Sequence, residues 1–81
     1  MVMVPHQARA RSSPVRLHRR ELRLTQAELA RAVGTSRQTI IAIEQGDYAP
    51  SVYLALGIAK VLGATVENLF SPNEDDQEAA R

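Results

Sequence analysis

The residues with the most specific chemistry lie close together, in the segment RQTIIAIEQ at 37–45. On an α-helix, where successive residues are about 100° apart, five of them share the side turned away from Ile40 and Ile43. These five are Arg37, Gln38, Ile41, Ala42 and Gln45. Arginine can pair with guanine, glutamine can pair with adenine, and a small apolar group can contact a thymine methyl. The stripe therefore has the chemistry to read the major groove of double-stranded DNA.

The ends of this third predicted helix are also marked in the sequence. Ser36 is a suitable N-cap, and it leaves other N–H groups of the first turn free for a phosphate. Gly46 is suited to the left-handed position that follows a helix. The pattern predicts that Ile40 and Ile43 face the core. An ordinary amphipathic surface helix is the alternative, but it leaves the outward Ile41 unexplained.

A second helix precedes this one and is separated from it by only a few residues. Thr25 and Glu28 have the spacing of a capping box, an apolar face follows, and Gly34 suits the position after the last turn. Two short helices joined across a glycine have the form of a helix-turn-helix. Gln26 opens the first of them, where its side chain would lie near the DNA backbone.

Three further helices complete the predicted fold. Ser13 and Pro14 begin one that runs to about residue 22, because proline is favoured at the first helical position. Ser51 caps a helix that ends at Gly63, and Thr65 caps a short one before Pro72. Five helices leave little room for a sheet, so the expected fold class is all-α.

Length and charge suggest one domain with two polar ends. The chain has 81 residues, no cysteine and no apolar run long enough to span a membrane, so a cytoplasmic protein is expected. Residues 1–12 are predicted to form a flexible basic arm, residues 13–71 the folded domain, and residues 72–81 a disordered acidic tail. Without that tail the chain is basic, which indicates an anionic partner; a solvated charged surface is the alternative.

An enzyme is not expected from this composition. The histidines are His6, in the arm, and His18, in the first helix. There is no cysteine or glycine-rich phosphate loop, and acidic residues are concentrated in the tail. The sequence therefore predicts no catalytic residue, no metal site and no cofactor.

The stretch LTQAELARAVGTSRQTIIAIEQGDYAPS resembles the Cro/C1-type helix-turn-helix family, whose members share the phage-repressor-like DNA-binding domain. The resemblance runs from about Val15 to Phe70, and the SRQTI motif with the terminal LF is similar to short stand-alone bacterial regulators. It implies a five-helix phage-repressor-like domain, binding to a two-fold symmetric operator as a homodimer, and transcriptional regulation, usually repression.

The resemblance also implies roles for individual residues. Gln26, Arg37 and Gln38 match the principal DNA contacts, and the candidates for phosphate or secondary base contacts are Thr25, Thr35, Ser36 and Thr39. Arg19 and Glu44 match a structural ion pair that joins the first and third helices in some members. Arg23 is a departure, because many relatives have glycine there; it is a candidate for an extra phosphate contact.

The fourth helix, Val52 to Leu62, has one charged residue and is apolar on nearly every side, which favours burial on every side. A dimer interface is predicted on it and on the fifth helix, through Val61, Leu62, Val66, Leu69 and Phe70. A central helix that is well buried within one domain is the alternative. The acidic tail could bind a protein partner. An antitoxin that uses the same DNA-binding domain for autoregulation is an alternative function, and a protein-interaction module is a less favoured one.

Overall fold

A computed structural model describes residues 13–70, and this part of the chain contains five α-helices and no strand. The helices are Pro14–Glu21 (α1), Gln26–Val33 (α2), Arg37–Gln45 (α3), Val52–Leu62 (α4) and Val66–Phe70 (α5). The predicted all-α fold is therefore confirmed, with each helix within about one residue of its expected ends. The predicted arm (1–12) and tail (72–81) lie outside the described residues.

Each helix begins at a hydroxyl side chain that accepts a hydrogen bond from a backbone N–H three residues later. The caps of the first four helices are Ser13, Thr25, Ser36 and Ser51. Thr65 Oγ1 accepts from the N–H of Asn68 at 3.0 Å at the start of α5. These bonds satisfy N–H groups that have no partner within the helix, so the predicted caps are confirmed.

Four helices end in the same hydrogen-bonded turn. After α2, the N–H of Gly34 donates to Arg31 O and the N–H of Thr35 donates to Ala30 O, at 3.3 and 2.9 Å. This is the Schellman arrangement, which needs a left-handed residue, and Gly34 has φ 76°. Gly46 and Gly63 end α3 and α4 in the same way, while Arg23 takes this position after α1 with φ 60°.

The core lies where α1, α2, α3 and α4 meet. Its largest fully buried side chains are Val15, Leu29, Ile40 and Ile58, one from each of these helices. The loop between α2 and α3 is short, so these two helices pack directly against each other. The position of α3 is thus set by α2 on one side and by the core residues Ile40 and Ile43 on its inner face.

Part of the predicted dimer interface is wrong. Leu62 is 5% exposed and Leu69 is 3% exposed, so both are core residues of a single chain. The reason is that α5 packs against both α4 and α1, which covers the side of α4 that the sequence left without a partner. Val61, Val66 and Phe70 are half-buried at the edge of the same core.

Candidate nucleic-acid interface

The inner and outer faces of α3 are those predicted from the sequence. Ile40 has no exposed surface and Ile43 is 7% exposed, whereas Arg37, Gln38 and Gln45 are exposed. Helix α3 therefore presents one guanidinium and two amides to solvent. The prediction that Ile40, and not its neighbour Ile41, faces the core is confirmed.

Two apolar members of the stripe are more covered than predicted. Ile41 and Ala42 are half-buried. Residues four apart adjoin on a helix, so Ile41 lies between the long side chains of Arg37 and Gln45. The apolar side chains of Ile41 and Ala42 are thus recessed between the exposed polar side chains and do not project beyond them.

The first turn of α3 combines polar side chains with free backbone donors. Ser36 is exposed, and its Oγ accepts from the N–H of Thr39 at 3.1 Å and lies 2.9 Å from Thr39 Oγ1. Thr35 and Thr39 are half-buried. Helical geometry leaves the N–H groups of Arg37 and Gln38 without an acceptor inside the helix. The turn can therefore donate hydrogen bonds to a phosphate.

The start of α2 has the same property. The capping box is present: Thr25 N donates to Glu28 Oε1 at 2.8 Å, and Glu28 N donates to Thr25 Oγ1 at 3.0 Å. These two bonds use the N–H groups at both ends of the first turn. The intervening N–H groups of Gln26 and Ala27 have no acceptor within the helix and can face an anion.

A buried ion pair joins α1 to α3 behind this surface. Arg19 Nε donates to Glu44 Oε2 at 2.7 Å, and Arg19 Nη2 donates to Glu44 Oε1 at 3.2 Å. Arg19 Nη1 also donates to the carbonyl oxygen of Leu24 at 2.7 Å, in the turn before α2. The two side chains are only 10% and 3% exposed. The predicted structural pair is therefore confirmed.

Gln26 is connected to this pair, which sequence reasoning did not foresee. Its side chain is half-buried, and its Nε2 donates to Glu44 Oε1 at 3.1 Å. A residue assigned to DNA contact thus also contacts the carboxylate that holds α1 and α3 together. The sequence spacing carries no signal for this bond, because it joins two helices across 18 positions.

A helix-turn-helix domain consists of two helices joined by a short glycine-containing turn, and α2 and α3 have this arrangement. A family model described as Helix-turn-helix matches residues 15–69 of the chain. The chain belongs to the Cro/C1-type helix-turn-helix family. The matched residues include all five helices except the first residue of α1 and the last of α5.

Helix-turn-helix relatives occur in archaea and bacteria. An uncharacterized HTH-type transcriptional regulator of Methanothermobacter thermautotrophicus is 55% identical over 62 residues, which cover 75% of this chain and 90% of the relative. A similarly named protein of Methanocaldococcus jannaschii is 53% identical over 53 residues, or 65% and 80% of the two chains. The Bacillus subtilis regulator YgzD is 44% identical over 52 residues, or 64% and 79%.

Exposed arginines lie beside the helix-turn-helix, on α1. Arg16, Arg20 and Arg23 are spaced four and three residues apart, so they follow one side of the helix and its terminal turn. All three are exposed, in contrast to the buried Arg19. Of these, only Arg23 is a candidate phosphate contact from the sequence. The spacing of the other two was visible in the sequence and was the signal for a basic side of α1.

The histidine and the acidic side chains of residues 13–70 do not add a catalytic or metal site to this surface. His18, half-buried in α1, donates from Nδ1 to the carbonyl oxygen of Pro14 at 2.9 Å. Among these residues, no three histidine or acidic side chains gather in a way that could hold a metal ion. The longest helix described has 11 residues, about half the length required to cross a bilayer.

Proposed function

We propose that this protein regulates transcription, as a repressor, by binding a specific site in double-stranded DNA with α3 in the major groove. Membership of the helix-turn-helix family gives the general class, DNA-binding regulation of transcription. Repression needs only that the bound protein occupy DNA required by other proteins. The observation that carries the proposal is the division of α3 into a buried apolar face and an exposed arginine–glutamine face.

The exposed face of α3 supplies base recognition in this proposal. Arg37 matches the two acceptors of guanine, and Gln38 and Gln45 each match the donor and acceptor of adenine. Ile41 and Ala42, between these polar groups, offer an apolar surface to a thymine methyl. Because the buried face is held by the core, the five side chains would enter the groove on a rigid support.

Other groups position the domain on the DNA backbone. The free N–H groups at the starts of α2 and α3, together with Ser36, Thr35 and Thr39, are directed to phosphates. Arg23 and its two neighbours on the basic side of α1 add long-range attraction to the same backbone. We assign the arm, residues 1–12, to backbone or minor-groove contact, and the tail, residues 72–81, to a protein partner.

The protein is proposed to bind as a homodimer through an apolar groove between α4, α5 and the loop after α3. The groove encloses about 580 Å³, and the residues that define it include Tyr48, Pro50, Val52, Leu56, Val66 and Phe70. None of its lining residues is charged. Val52 is 70% exposed and Leu56 is 53% exposed, a large apolar surface for a small domain.

A second copy of the chain is the occupant that suits this groove and the proposed site. In a two-fold dimer the same patch covers itself, so an uncharged apolar surface is self-complementary. Ile43 of α3 and Gly46, directly after α3, both line the groove, so pairing there would fix the separation of the two α3 helices. Two-fold symmetry then predicts an operator with half-sites about 34 Å, or about 10 bp, apart.

Selection of bound fragments from a random pool of duplex DNA tests the function. Enrichment of an inverted repeat with half-sites one helical turn apart is the expected result. The same selection with the Arg37→Ala variant is the control, and it should lose the preference at particular base pairs. A pool that remains random with the native protein would contradict sequence-specific binding.

Two leucines of nearly equal exposure test the dimer. Leu56, in the groove, is 53% exposed, and Leu17, on α1, is 52% exposed. Leu56→Glu should give a monomer in sedimentation at micromolar concentration and weaken operator binding, because it places a charge in the interface. Leu17→Glu should remain a dimer. If both variants sediment as the native protein does, the groove is not the interface.

A further inference from the structure

Glu44 is the point at which side chains of three helices, α1, α2 and α3, are joined. Its carboxylate accepts two hydrogen bonds from Arg19 on α1 and one from Gln26 on α2, although Glu44 itself is on α3. Oε1 receives both the Arg19 Nη2 bond and the Gln26 bond, at 3.2 and 3.1 Å. Gln26 is the one member of the network that also reaches the proposed DNA surface.

The carboxylate decides which way the Gln26 amide points. A glutamine amide has an N–H₂ end that donates and an oxygen end that accepts, so its two orientations differ in their hydrogen bonding. The carboxylate of Glu44 has two oxygens that accept hydrogen bonds and no N–H or O–H to donate. If the amide turned over, its oxygen would face a carboxylate oxygen at the same short distance, without a proton between them. The observed orientation is therefore the favoured one.

We propose that Glu44 is a positioning residue for DNA binding, which it influences by fixing the amide of Gln26. One Gln26 N–H is used by Glu44, and the other N–H is left to donate to a DNA phosphate beside the backbone N–H groups of Gln26 and Ala27. The proposal rests on the proposed function for the presence of DNA. What the proposal adds is that Glu44, whose side chain is 3% exposed, sets the strength of the contact between Gln26 and DNA.

Arg19 makes this arrangement compatible with an anionic ligand. An unpaired carboxylate close to a phosphate would repel it. The guanidinium of Arg19 balances the charge of Glu44 through two hydrogen bonds and keeps a third for the Leu24 carbonyl. The pair thus presents to Gln26 a fixed acceptor with little net charge.

The orientation of the amide can be measured in the free native protein by NMR of the glutamine side chains. One Gln26 amide proton should lie downfield and exchange more slowly with solvent than those of Gln38 and Gln45, which are exposed. In Arg19→Met combined with Glu44→Leu, which leaves no side-chain acceptor at position 44, this difference should disappear. A Gln26 amide that behaves like the two exposed glutamines in the native protein would overturn the proposal.

A double-mutant cycle on operator affinity tests the consequence. Gln26→Met keeps the shape of the side chain but removes the amide, and it should weaken binding about tenfold in the native background. In Glu44→Gln the same change should weaken binding less than about twofold, because the amide is no longer fixed. Equal losses in both backgrounds would mean that Glu44 serves the fold alone.

The same cycle in a second variant keeps the test interpretable if Glu44→Gln fails to fold. Glu44→Gln leaves Arg19 without its ion-pair partner, whereas Arg19→Met combined with Glu44→Leu replaces the pair by apolar groups, which proteins often tolerate. Gln26→Met should have the same small effect there. The Arg37→Ala variant separates the two proposals: if it binds operator as well as the native protein, the proposed reading by α3 fails, whatever the Gln26 cycle shows.

Discussion

Arg19 and Glu44 lie 25 positions apart in the sequence, and Arg19 Nε donates to Glu44 Oε2 at 2.7 Å with both side chains buried. A second bond between the same two groups makes the contact bidentate, which fixes direction as well as distance. Since Arg19 also holds the Leu24 carbonyl, the pair orients α3 relative to the turn that begins the helix-turn-helix.

Removal of one partner of this pair should be costly. Arg19→Met leaves the buried carboxylate of Glu44 without its cation, so we expect the free energy of unfolding to fall by about 3–5 kcal/mol. The double variant with Glu44→Leu should recover most of that loss, since no charge then remains buried. Urea denaturation followed by circular dichroism measures both. A double variant no more stable than the single one would contradict this account.

The inner isoleucine of α3 should matter for stability. Ile40 has no exposed surface, so Ile40→Ala leaves a cavity in the core and should lower the free energy of unfolding by about 2–4 kcal/mol. Thermal melting checks the loss. Below the melting transition, the folded fraction should retain the base preferences of the native protein, because Ile40 does not face the proposed groove.

Its neighbour should matter for recognition instead. Ile41 is half-buried on the outer side, so Ile41→Ala should cost about 1 kcal/mol of stability or less. Operator affinity should fall mainly for sites with thymine at one position, and competition with operators altered at that position measures it. Unfolding by Ile41→Ala without unfolding by Ile40→Ala would place the recognition face one residue out of phase.

The left-handed position after α1 predicts a stabilising substitution. Arg23 has φ 60°, which costs a side-chain-bearing residue about 1 kcal/mol relative to glycine. Arg23→Gly should therefore raise the free energy of unfolding by about 0.5–1 kcal/mol. Gly34→Ala is the reverse experiment at φ 76°. An added Cβ would meet no atom within 4 Å, so backbone strain is the one cost, and stability should fall by a similar amount. Chemical denaturation measures the free energy of unfolding of both variants, which should rise for Arg23→Gly and fall for Gly34→Ala.

Salt dependence should separate the arginines of α1 from that of α3. Arg16→Ala with Arg20→Ala should weaken binding to operator and random DNA alike, and should flatten the slope of log affinity against log salt by roughly 1–2. Arg37→Ala should cost about 1–3 kcal/mol on operator DNA and much less on random DNA. Equal losses on both kinds of DNA from Arg37→Ala would make it a phosphate contact.

Features that depend on neighbouring residues were predictable from the sequence. A cap such as Ser36 bonds to the N–H three residues later, so the start of α3 is determined within one turn. The assignment of Ile40 and Ile43 to the core followed from the periodicity of one helix. For the same reason, the stripe of Arg37, Gln38 and Gln45 was correctly predicted to be exposed.

Features that depend on contacts between helices were less accessible. The burial of Leu62 and Leu69 results from the return of α5 onto α4 and α1, and an apolar helix alone does not show which side a later helix will cover. The Gln26–Glu44 bond likewise requires the angle between α2 and α3. At Arg23 the turn needs a left-handed residue; arginine itself is no sign of one, and the signal was the glycine that many relatives have there.

The two faces of α3 also bear on how such regulators diverge. The outer positions 37, 38, 41, 42 and 45 include no cap and no fully buried residue, while the inner positions 40, 43 and 44 are buried. Most single substitutions at the outer positions should therefore change the free energy of unfolding only slightly. With α3 in the proposed role, a duplicated gene could move to a new operator through a series of folded intermediates. Selection for DNA sequence preference and selection for stability would then act on different residues of the same nine-residue helix.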